Sequence, residues 1–327
     1  MDRPSRGRLA LGVLALLASA PALAAQALGL PEYHPINPVV ETRSGLYFQP
    51  YRDPQRRWVG TVGLDYGSMV ELGFLTSLAD TSYLLDAEVL RLNLAASRDL
   101  DQANFVTVEG FLGGAYGGFL DGFLNWYHRL LGIDVPERED RRPDRFDYRI
   151  QVPGGPPFGR AASSAYFGDL RLGLGHRYDE RLQSHFSVTL PTATAPTGYG
   201  RGTVSFNLTH TLRAPLTSRL TFEGSLGTGF TPRHGDLAPN QQRLFLALTS
   251  GARYRFWGRL SAFANFFYQS PQYEGTGIAA LDRKDLTLDF GGILRTKSGR
   301  EWRIGLTEDP SPSGPAIDLV FRVGTSW

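Results

Sequence analysis

The sequence contains no cysteine, and this absence excludes whole classes of protein. Without cysteine there is no disulfide framework of the kind that staples small secreted domains, and no Cys-based zinc or redox site. Lysine is also nearly absent, since Lys284 and Lys297 are the only lysines among 34 basic residues. The 32 acidic residues leave a net charge of +2, and no basic block with interleaved aromatic residues is present. Nothing in this composition indicates a nucleic-acid partner, a cofactor or a metal ion.

Long apolar runs are missing as well. No segment approaches the 18 consecutive apolar residues that a membrane-spanning helix requires, which argues against a helical multi-span protein. The longest run, residues 9–17, follows Arg3, Arg6 and Arg8 and precedes Ala22-Leu23-Ala24. A basic start, a short apolar core and a small-x-small site are typical of a cleaved export signal, and the run is too short for an uncleaved anchor. We therefore expect a signal peptide over residues 1–24 and a single mature domain over residues 25–327.

Apolar and polar residues alternate with a period of two through the second half of the chain. Over residues 182–190, Leu182, Phe186 and Leu190 share one face, whereas His185 and Ser187 share the other. Such alternation predicts strands of a sheet with one apolar and one polar face. The segments with this pattern are residues 182–190, 204–212, 220–230, 244–254, 260–268, 284–294, 301–306 and 317–327. Less regular strands are expected over residues 57–66, 68–77, 82–96 and 104–112, and a regular one over residues 146–152. One more strand, with Asp169 and Arg171 on its polar face, lies between the loop of residues 153–164 and the turn of residues 179–180.

The polar faces of these strands carry many charges in mid-strand. An arginine at the midplane of a bilayer costs roughly 2–4 kcal/mol on the lipid side of a barrel strand, so the charged face must surround water or ion pairs. The residues expected to line such a lumen are His185, Ser187, Arg171, Glu223, Arg253, Arg255, Asp289 and Arg303. The opposite face, rich in Leu and Phe, is then the face that meets lipid.

The connections between the predicted strands alternate between short and long. Residues 179–180, 214–218, 257–258 and 296–300 form short turns, and residues 191–201, 231–242 and 270–282 form longer loops. Outer-membrane barrels have short periplasmic turns and longer external loops. The fold class expected is an all-β transmembrane antiparallel barrel with about 12–14 strands, in the cell outer membrane of a Gram-negative bacterium. Our count is fourteen, with twelve as the natural alternative.

The chain ends in an alternating strand whose last residue is aromatic. Phe321, Val323 and Trp327 share its apolar face. This pattern resembles the terminal strand by which bacterial outer-membrane proteins are recognised for assembly. We therefore expect the assembly machinery and the lipids of the outer membrane as partners, and the oligomeric state stays open.

Residues 113–144 interrupt the strand pattern. Within them, about residues 118–132, we predict an amphipathic helix whose broad apolar surface includes Leu120, Leu124 and Trp126. Gly132 suits a C-terminal cap. A narrow polar stripe of candidate functional residues comprises Asp121, Asn125, His128 and Arg129. With fourteen strands the helix falls at the periplasmic rim, where it either plugs the barrel mouth or lies on the inner leaflet of the outer membrane.

A stretch of this insertion carries a family resemblance. The run Gly117-Gly118-Phe119-Leu120-Asp121-Gly122-Phe123, followed by His128-Arg129 and Gly132, resembles the signature of a proteobacterial family of uncharacterised envelope proteins. The early Asn37-Pro38 and the strand with Asp86, Glu88 and Arg91 are also similar. The resemblance implies an outer-membrane barrel and no activity.

Three functions remain open. The first is a porin-like channel or transporter for a small solute or lipid, and the second is a structural or assembly barrel with a filled lumen. The third is an enzyme that modifies envelope lipid. For this last hypothesis His185-Phe186-Ser187 has the spacing of a base and a nucleophile, but both polar residues lie on the face away from lipid. Asp121 and His128 lack a serine or a third ligand, so the sequence favours a non-enzymatic role with no catalytic residue assigned.

Overall fold

The structure is a computed structural model that describes residues 32, 34–43, 50–54, 58–74, 82–132, 142–152, 154–155, 157–195, 199–310 and 319–327. The predicted signal peptide and its cleavage site lie outside these residues. None of the helices in the described ranges is long and apolar enough to cross a bilayer.

Fifteen strands, three short α-helices and one 3₁₀ turn make up the described chain. In chain order they are α1 Pro38–Glu41, β1 Trp58–Phe74, β2 Ser82–Asp99, β3 Asn104–Tyr116, α2 Asp121–Leu131, β4 Asp147–Gln151, β5 Phe158–Gly159, β6 Ser163–Phe167, β7 Leu170–Arg177, β8 Leu182–Leu190, β9 Ser205–Pro215, β10 Leu220–Phe230, the 3₁₀ turn Ala238–Asn240, β11 Leu244–Trp257, β12 Leu260–Gln269, α3 Ala279–Asp282, β13 Asp285–Arg295, β14 Glu301–Glu308 and β15 Leu319–Ser326.

Twelve of these strands close into an antiparallel barrel. Each pairs with its neighbour along the ring β1, β2, β3 and β7 to β15, and β15 returns to β1 with Thr61 opposite Ser326 and Ser68 opposite Leu319. The remaining three extend the wall, because β4 pairs with the start of β2, β5 pairs with β4, and β6 pairs with the end of β3. The transmembrane barrel expected from the alternation is confirmed, and twelve rather than fourteen is the number of strands in the ring.

The fourteen-strand count was wrong at two places. Residues 57–66 and 68–77 were expected as separate strands, but β1 runs unbroken from Trp58 to Phe74. Residues 146–152 were expected as a wall strand, but β4 touches only the first five residues of β2. An even number of strands places both ends of the wall, Trp58 and Trp327, at the same rim.

The two rims differ in the length of their connections. At one rim, here called the turn end, the strands are joined by residues 100–103, 178–181, 216–219, 258–259 and 296–300. The other rim, here called the loop end, carries the connections 75–81, 117–146, 191–204, 231–243, 270–284 and 309–318. In outer-membrane barrels the short turns face the periplasm and the long loops face outward.

The two faces of the wall separate by polarity as predicted. Large apolar side chains on one face are exposed, among them Leu64, Leu94, Leu174 and Ile304, while the alternate positions hold buried polar groups such as Asp65, Thr107 and Arg171. The exposed set forms the exterior of the barrel and the buried set faces the lumen. Toward the loop end the lumen is more apolar, where Met69, Val89 and Val320 meet Ile36 and Val39 from the N-terminal segment.

Candidate functional site

All eight residues predicted to line the lumen lie on the inward face. Arg171 pairs with Glu109 at 3.6 Å, Arg253 with Glu301 at 2.8 Å, and Asp289 with Arg322 at 3.7 Å. His185, Ser187 and Glu223 are buried. Arg255 donates a 2.6 Å hydrogen bond to the carbonyl of Ser218 at the turn end, and Arg303 packs against Gly63 and Gly324. Whether these residues act on a solute stays a prediction.

The lumen is occupied by a part of the chain whose position there was not predicted from the sequence. Residues 32–54, here called the luminal segment, precede β1, and their described residues Glu32, His34–Glu41, Arg43 and Pro50–Arg52 are buried apart from Val40, whose side chain is not described. In its described residues, 32, 34–43 and 50–54, the segment forms one turn of helix, α1, and no strand. It is therefore held by side chains of the wall rather than by a sheet ladder.

The first contacts of the luminal segment lie near the turn end. Glu32 forms an ion pair with Arg52 at 2.7 Å, with both side chains buried. Arg52 also donates to Ser97 on β2 at 2.9 Å, and Thr61 on β1 donates to Glu32 at 3.2 Å. A buried ion pair is stable only when its remaining groups are hydrogen-bonded, and these wall residues supply those bonds.

Two arginines of the wall hold the middle of the segment. Arg91 on β2 binds the carbonyl of Pro35 at 3.0 Å and the Glu41 carboxylate at 2.9 Å. Arg322 on β15 donates to the carbonyl of His34 at 3.0 Å. Burial, followed by the positive charge of nearby arginines, holds the pKa of His34 well below its usual range. His34 is accordingly neutral while it sits in the lumen.

Arg43 fastens the segment at the loop end. Its guanidinium donates to the carbonyls of Pro232 at 2.7 Å, Thr231 at 2.9 Å and Gln242 at 2.8 Å. Burial lowers the pKa of Arg43 to about 10, which leaves it charged at neutral pH. A cavity of about 190 Å³ opens beside it, lined by side chains that include Tyr148, Arg160, Arg201, His234 and Tyr273.

Residues 50–53 make their contacts near the turn end. The side chain of Gln183 on β8 forms two hydrogen bonds with the backbone of the segment. It accepts one from the amide of Arg52 at 2.9 Å and donates one to the carbonyl of Pro50 at 3.0 Å. The amide of Tyr51 donates to Glu223 at 3.2 Å. Asp53 closes the path with both carboxylate oxygens within 3.0 Å of Nη1 of Arg213. Of the described residues of the luminal segment, Glu32 and residues 50–53 thus make contacts near the turn end, and Arg43 makes contacts at the loop end.

Helix α2 lies outside the barrel, which contradicts the expectation that it plugs the mouth. Leu120 and Leu124 pack on Leu319 together with Tyr66, Leu306 and Phe321, which all lie on the exterior face of β1, β14 and β15. This position is near the loop end rather than at the periplasmic rim. Because twelve strands form the ring, β3 runs toward the loop end and its insertion emerges there. Phe321, one of the predicted assembly residues, is contacted by Phe123 at a ring distance of 5.9 Å.

The helix presents its polar stripe to the wall. Asp121 and His128 are buried and Asn125 is partly buried, whereas Arg129 and the apolar side chains of Phe123, Trp126 and Leu130 are exposed. Asp121 accepts a 2.6 Å hydrogen bond from the amide of Asp144. Leu120 and Leu124 also pack on the wall, but most of the large apolar side chains of the helix face away from it, whereas the apolar face of a helix in a water-soluble protein packs inward. An exterior of this kind suits contact with acyl chains.

Glu88 anchors the start of the helix to the wall. Its carboxylate accepts hydrogen bonds from the amides of Phe119 at 2.9 Å and Leu120 at 2.5 Å, and from the Tyr66 hydroxyl. Gly118 makes this approach possible, since its φ is +73° and a Cβ there would overlap the Glu88 carboxylate. Gly132 ends the helix with a φ of 69°, as predicted for a C-terminal cap.

We expect Gly118→Ala to loosen the docked helix. Both the positive φ and the collision with Glu88 oppose a side chain, at a cost on the order of 1–3 kcal/mol. Trypsin cleavage after Arg129, which requires local unfolding of α2, should become roughly tenfold faster in detergent. Gly122→Ala is the matched control, because a Cβ at Gly122 meets nothing within 4 Å and alanine favours a helix. Equal cleavage rates for the two variants would contradict the anchoring role of Glu88.

The pair considered for lipid hydrolysis is not assembled as a catalytic site. His185 Nε2 lies 2.9 Å from the Thr107 hydroxyl, and the imidazole stacks on Phe105. No hydrogen bond joins it to Ser187 within the described residues. Within those same residues, no three His, Asp or Glu side chains are grouped as a metal site. His185 is thus held within the lumen wall by Thr107 and Phe105.

The residues missed by the sequence analysis are those of the luminal segment. Glu32, His34, Glu41, Arg43 and Arg52 lie outside the period-two pattern, and their partners are far away in the chain. Asn37, which caps Val39 with a 2.9 Å bond, was noticed only as part of the resemblance.

Comparisons with known proteins agree with this architecture. The COG4313 outer membrane channel from Pseudomonas putida F1 has a TM-score of 0.53 and 12% identity over 82% of this chain and 94% of that one. Two more solved structures cover similar shares: the Pseudomonas putida toluene transporter TodX, with a TM-score of 0.39 and 9% identity over 82% and 88%, and the NanC porin, with 0.45 and 10% over 83% and 98%. At 12% identity, the likeness to the COG4313 channel shows the fold alone. No curated protein matches the chain.

A family model also matches most of the chain. It covers residues 75–326 and is described as a protein of unknown function, DUF3187. The match agrees with the resemblance to a family without an assigned activity. The insertion with Gly117–Phe123 lies inside the matched range and Asn37-Pro38 lies before it; their standing as family signatures stays a prediction.

Proposed function

We propose a channel function for this chain, which belongs to the DUF3187 family of proteins of unknown function. In this proposal the mature protein sits in the outer membrane, conducts small hydrated solutes, and is closed at rest by its luminal segment. Export through a cleaved signal peptide and assembly by the outer-membrane machinery through Phe321, Val323 and Trp327 belong to the same proposal.

The observation that carries the proposal is the nature of the lumen filling. A ring of about eight strands is just filled by its own side chains, and wider rings leave space for a channel or a plug. Here twelve strands leave that space, and a segment without sheet pairing to the wall fills it. Apart from the apolar packing of Ile36 and Val39, its ties are ion pairs and hydrogen bonds, which water can replace one by one. A wall lined by Arg, Asp and Glu becomes a hydrated path once the segment moves.

Planar-bilayer recording tests the proposal. The purified mature protein should show discrete openings, because a segment held by exchangeable polar contacts leaves the lumen part of the time. The filled-scaffold alternative, which the occupied lumen also fits, requires silence. The channel proposal would be overturned if the protein gave no openings although its heat-modifiable gel migration showed that the barrel was folded.

A cross-link between segment and wall makes the test sharper. Ile36 and Val320 both approach Gly67, with their side-chain carbons 2.6 and 2.8 Å from where its Cβ would stand. Since the chain has no cysteine, Ile36→Cys and Val320→Cys introduce the only thiols. A short bifunctional methanethiosulfonate joining them should abolish openings, and reduction should restore them. The two single variants, treated alike, are expected to keep their openings; persistence of openings in the bridged protein would contradict closure by the segment.

A further inference from the structure

A second cavity at the turn end carries an excess of positive charge. It has a volume of about 290 Å³ and lies where β9 to β13 meet their short turns. Six arginines contribute to its lining, namely Arg213, Arg219, Arg253, Arg255, Arg259 and Arg295. Glu223 is the acidic residue of that lining. Arg219, Arg255 and Arg259 are exposed to solvent, so water can accept their hydrogen bonds, but their like charges make the cavity attractive to an anion.

The carboxylates nearby do not balance these arginines. Arg253 forms an ion pair with Glu301 at 2.8 Å. Arg213 forms ion pairs with Asp53 at 2.9 Å and with Glu223 at 3.8 Å. Three carboxylates thus face six guanidiniums. In the described chain no ion pair joins Arg219, Arg255 or Arg259 to a carboxylate.

A carboxylate of the chain itself contacts one arginine of this cavity. The Asp53 carboxylate, at the end of the luminal segment, places both oxygens against Nη1 of Arg213. Arg255 meanwhile holds only a backbone carbonyl, that of Ser218. Guanidinium groups bind phosphate oxygens with the same planar geometry that they use for carboxylates, and two or more of them select for multiply charged oxyanions.

We propose that this cavity is a binding site for small phosphate-bearing anions, and that a bound anion competes with Asp53 for Arg213. Arg219, Arg255 and Arg259 provide the uncompensated charge, and Arg213 is the shared ligand. The site faces the periplasm if the turn end does, so it would sense solutes on that side. Because Asp53 ties down the luminal segment, occupancy of the cavity weakens that tie. Binding itself goes beyond the channel proposal and does not depend on conductance.

Calorimetric titration of the folded protein in detergent with inorganic pyrophosphate tests the site at low ionic strength. The wild-type chain should bind, and the double variant Arg219→Gln/Arg255→Gln should bind about tenfold more weakly or worse, since two charge-assisted contacts are lost. Arg149→Gln/Arg243→Gln removes the same charge at the loop end and serves as the matched control. Absence of binding to the wild type, or an equal loss in both double variants, would overturn the site.

The competition has a separate readout. Asp53→Asn removes the competing charge, so pyrophosphate should bind this variant more tightly than the wild type, by about tenfold for one ion pair released. Unchanged affinity would overturn the competition while leaving the site in place. Neither measurement uses conductance, so a silent channel together with pyrophosphate binding would refute the proposed function and spare this inference.

Discussion

Deletion of residues 25–54 is expected to turn a mostly closed channel into one that stays open. The deletion removes the ion pairs Glu32–Arg52 and Asp53–Arg213 and the three carbonyl bonds of Arg43. Hydrogen bonds to charged groups are worth about 1.5–3 kcal/mol each, so their joint loss shifts the closed-to-open equilibrium by far more than tenfold. Single-channel recording should show long openings of larger conductance than in the wild type.

A point variant tests the same prediction in case the deletion prevents folding. Without the segment, Met69, Val89 and Val320 lose their contact with Ile36 and Val39, and the emptied barrel risks poor assembly. Arg43→Gln keeps those contacts and removes only the fastening at the loop end, so its open probability should lie between those of the wild type and the deletion. Heat-modifiable gel migration shows whether each variant is folded. A folded variant with an open probability no higher than that of the wild type would refute closure by the segment.

The second large effect concerns acid. His34 has a lowered pKa in the lumen, because of burial and then the charges of Arg91, Arg171, Arg322 and Arg303. Released into water, its imidazole titrates near its ordinary value of about 6.5. The docked state therefore binds fewer protons than the released state, and docking weakens as the pH falls below about 6.5. Linkage of one proton gives up to about tenfold per pH unit in favour of release.

Comparison with His34→Gln isolates this contribution. Glu41 acts in the opposite direction, since burial raises its pKa and acid then favours the docked state, but Glu41 is common to both proteins. The ratio of wild-type to variant open probability, measured from pH 7.5 to 5.5, should stay near one at the upper end and rise steeply below pH 6.5. A flat ratio would show that His34 keeps the same protonation in both states.

The strands were predictable because their signal is local. Leu182 to Leu190 alternates in the sequence and alternates in the barrel, with Gln183, His185 and Ser187 buried and Phe186 exposed. The break expected at residue 67, between the predicted strands 57–66 and 68–77, was wrong. In the structure Gly67 is a mid-strand residue, and its missing side chain makes room for Ile36 and Val320. The glycine serves a contact with a distant segment, which no local pattern can show.

The helix was predictable in place and length, but its orientation was not. The apolar and polar faces of residues 120–131 follow from a period of 3.6, and α2 spans Asp121–Leu131. Which face meets the protein depends on what surrounds it, and a wall that is itself apolar reverses the usual choice. The luminal segment was the opposite case. Its residues 32–54 have no periodicity, and its position follows from partners such as Arg91, Gln183 and Arg213 that the fold alone brings together.

The reversed polarity of α2 bears on when it can form. Trp126 and Leu130 are 53% and 66% exposed. In water, the helix would therefore expose these apolar side chains to the solvent and place polar side chains against the apolar exterior of the barrel. Only hydrocarbon makes that arrangement favourable. The helix should therefore settle last, after the cylinder beneath it has entered the bilayer, so that the arrival of lipid completes the fold.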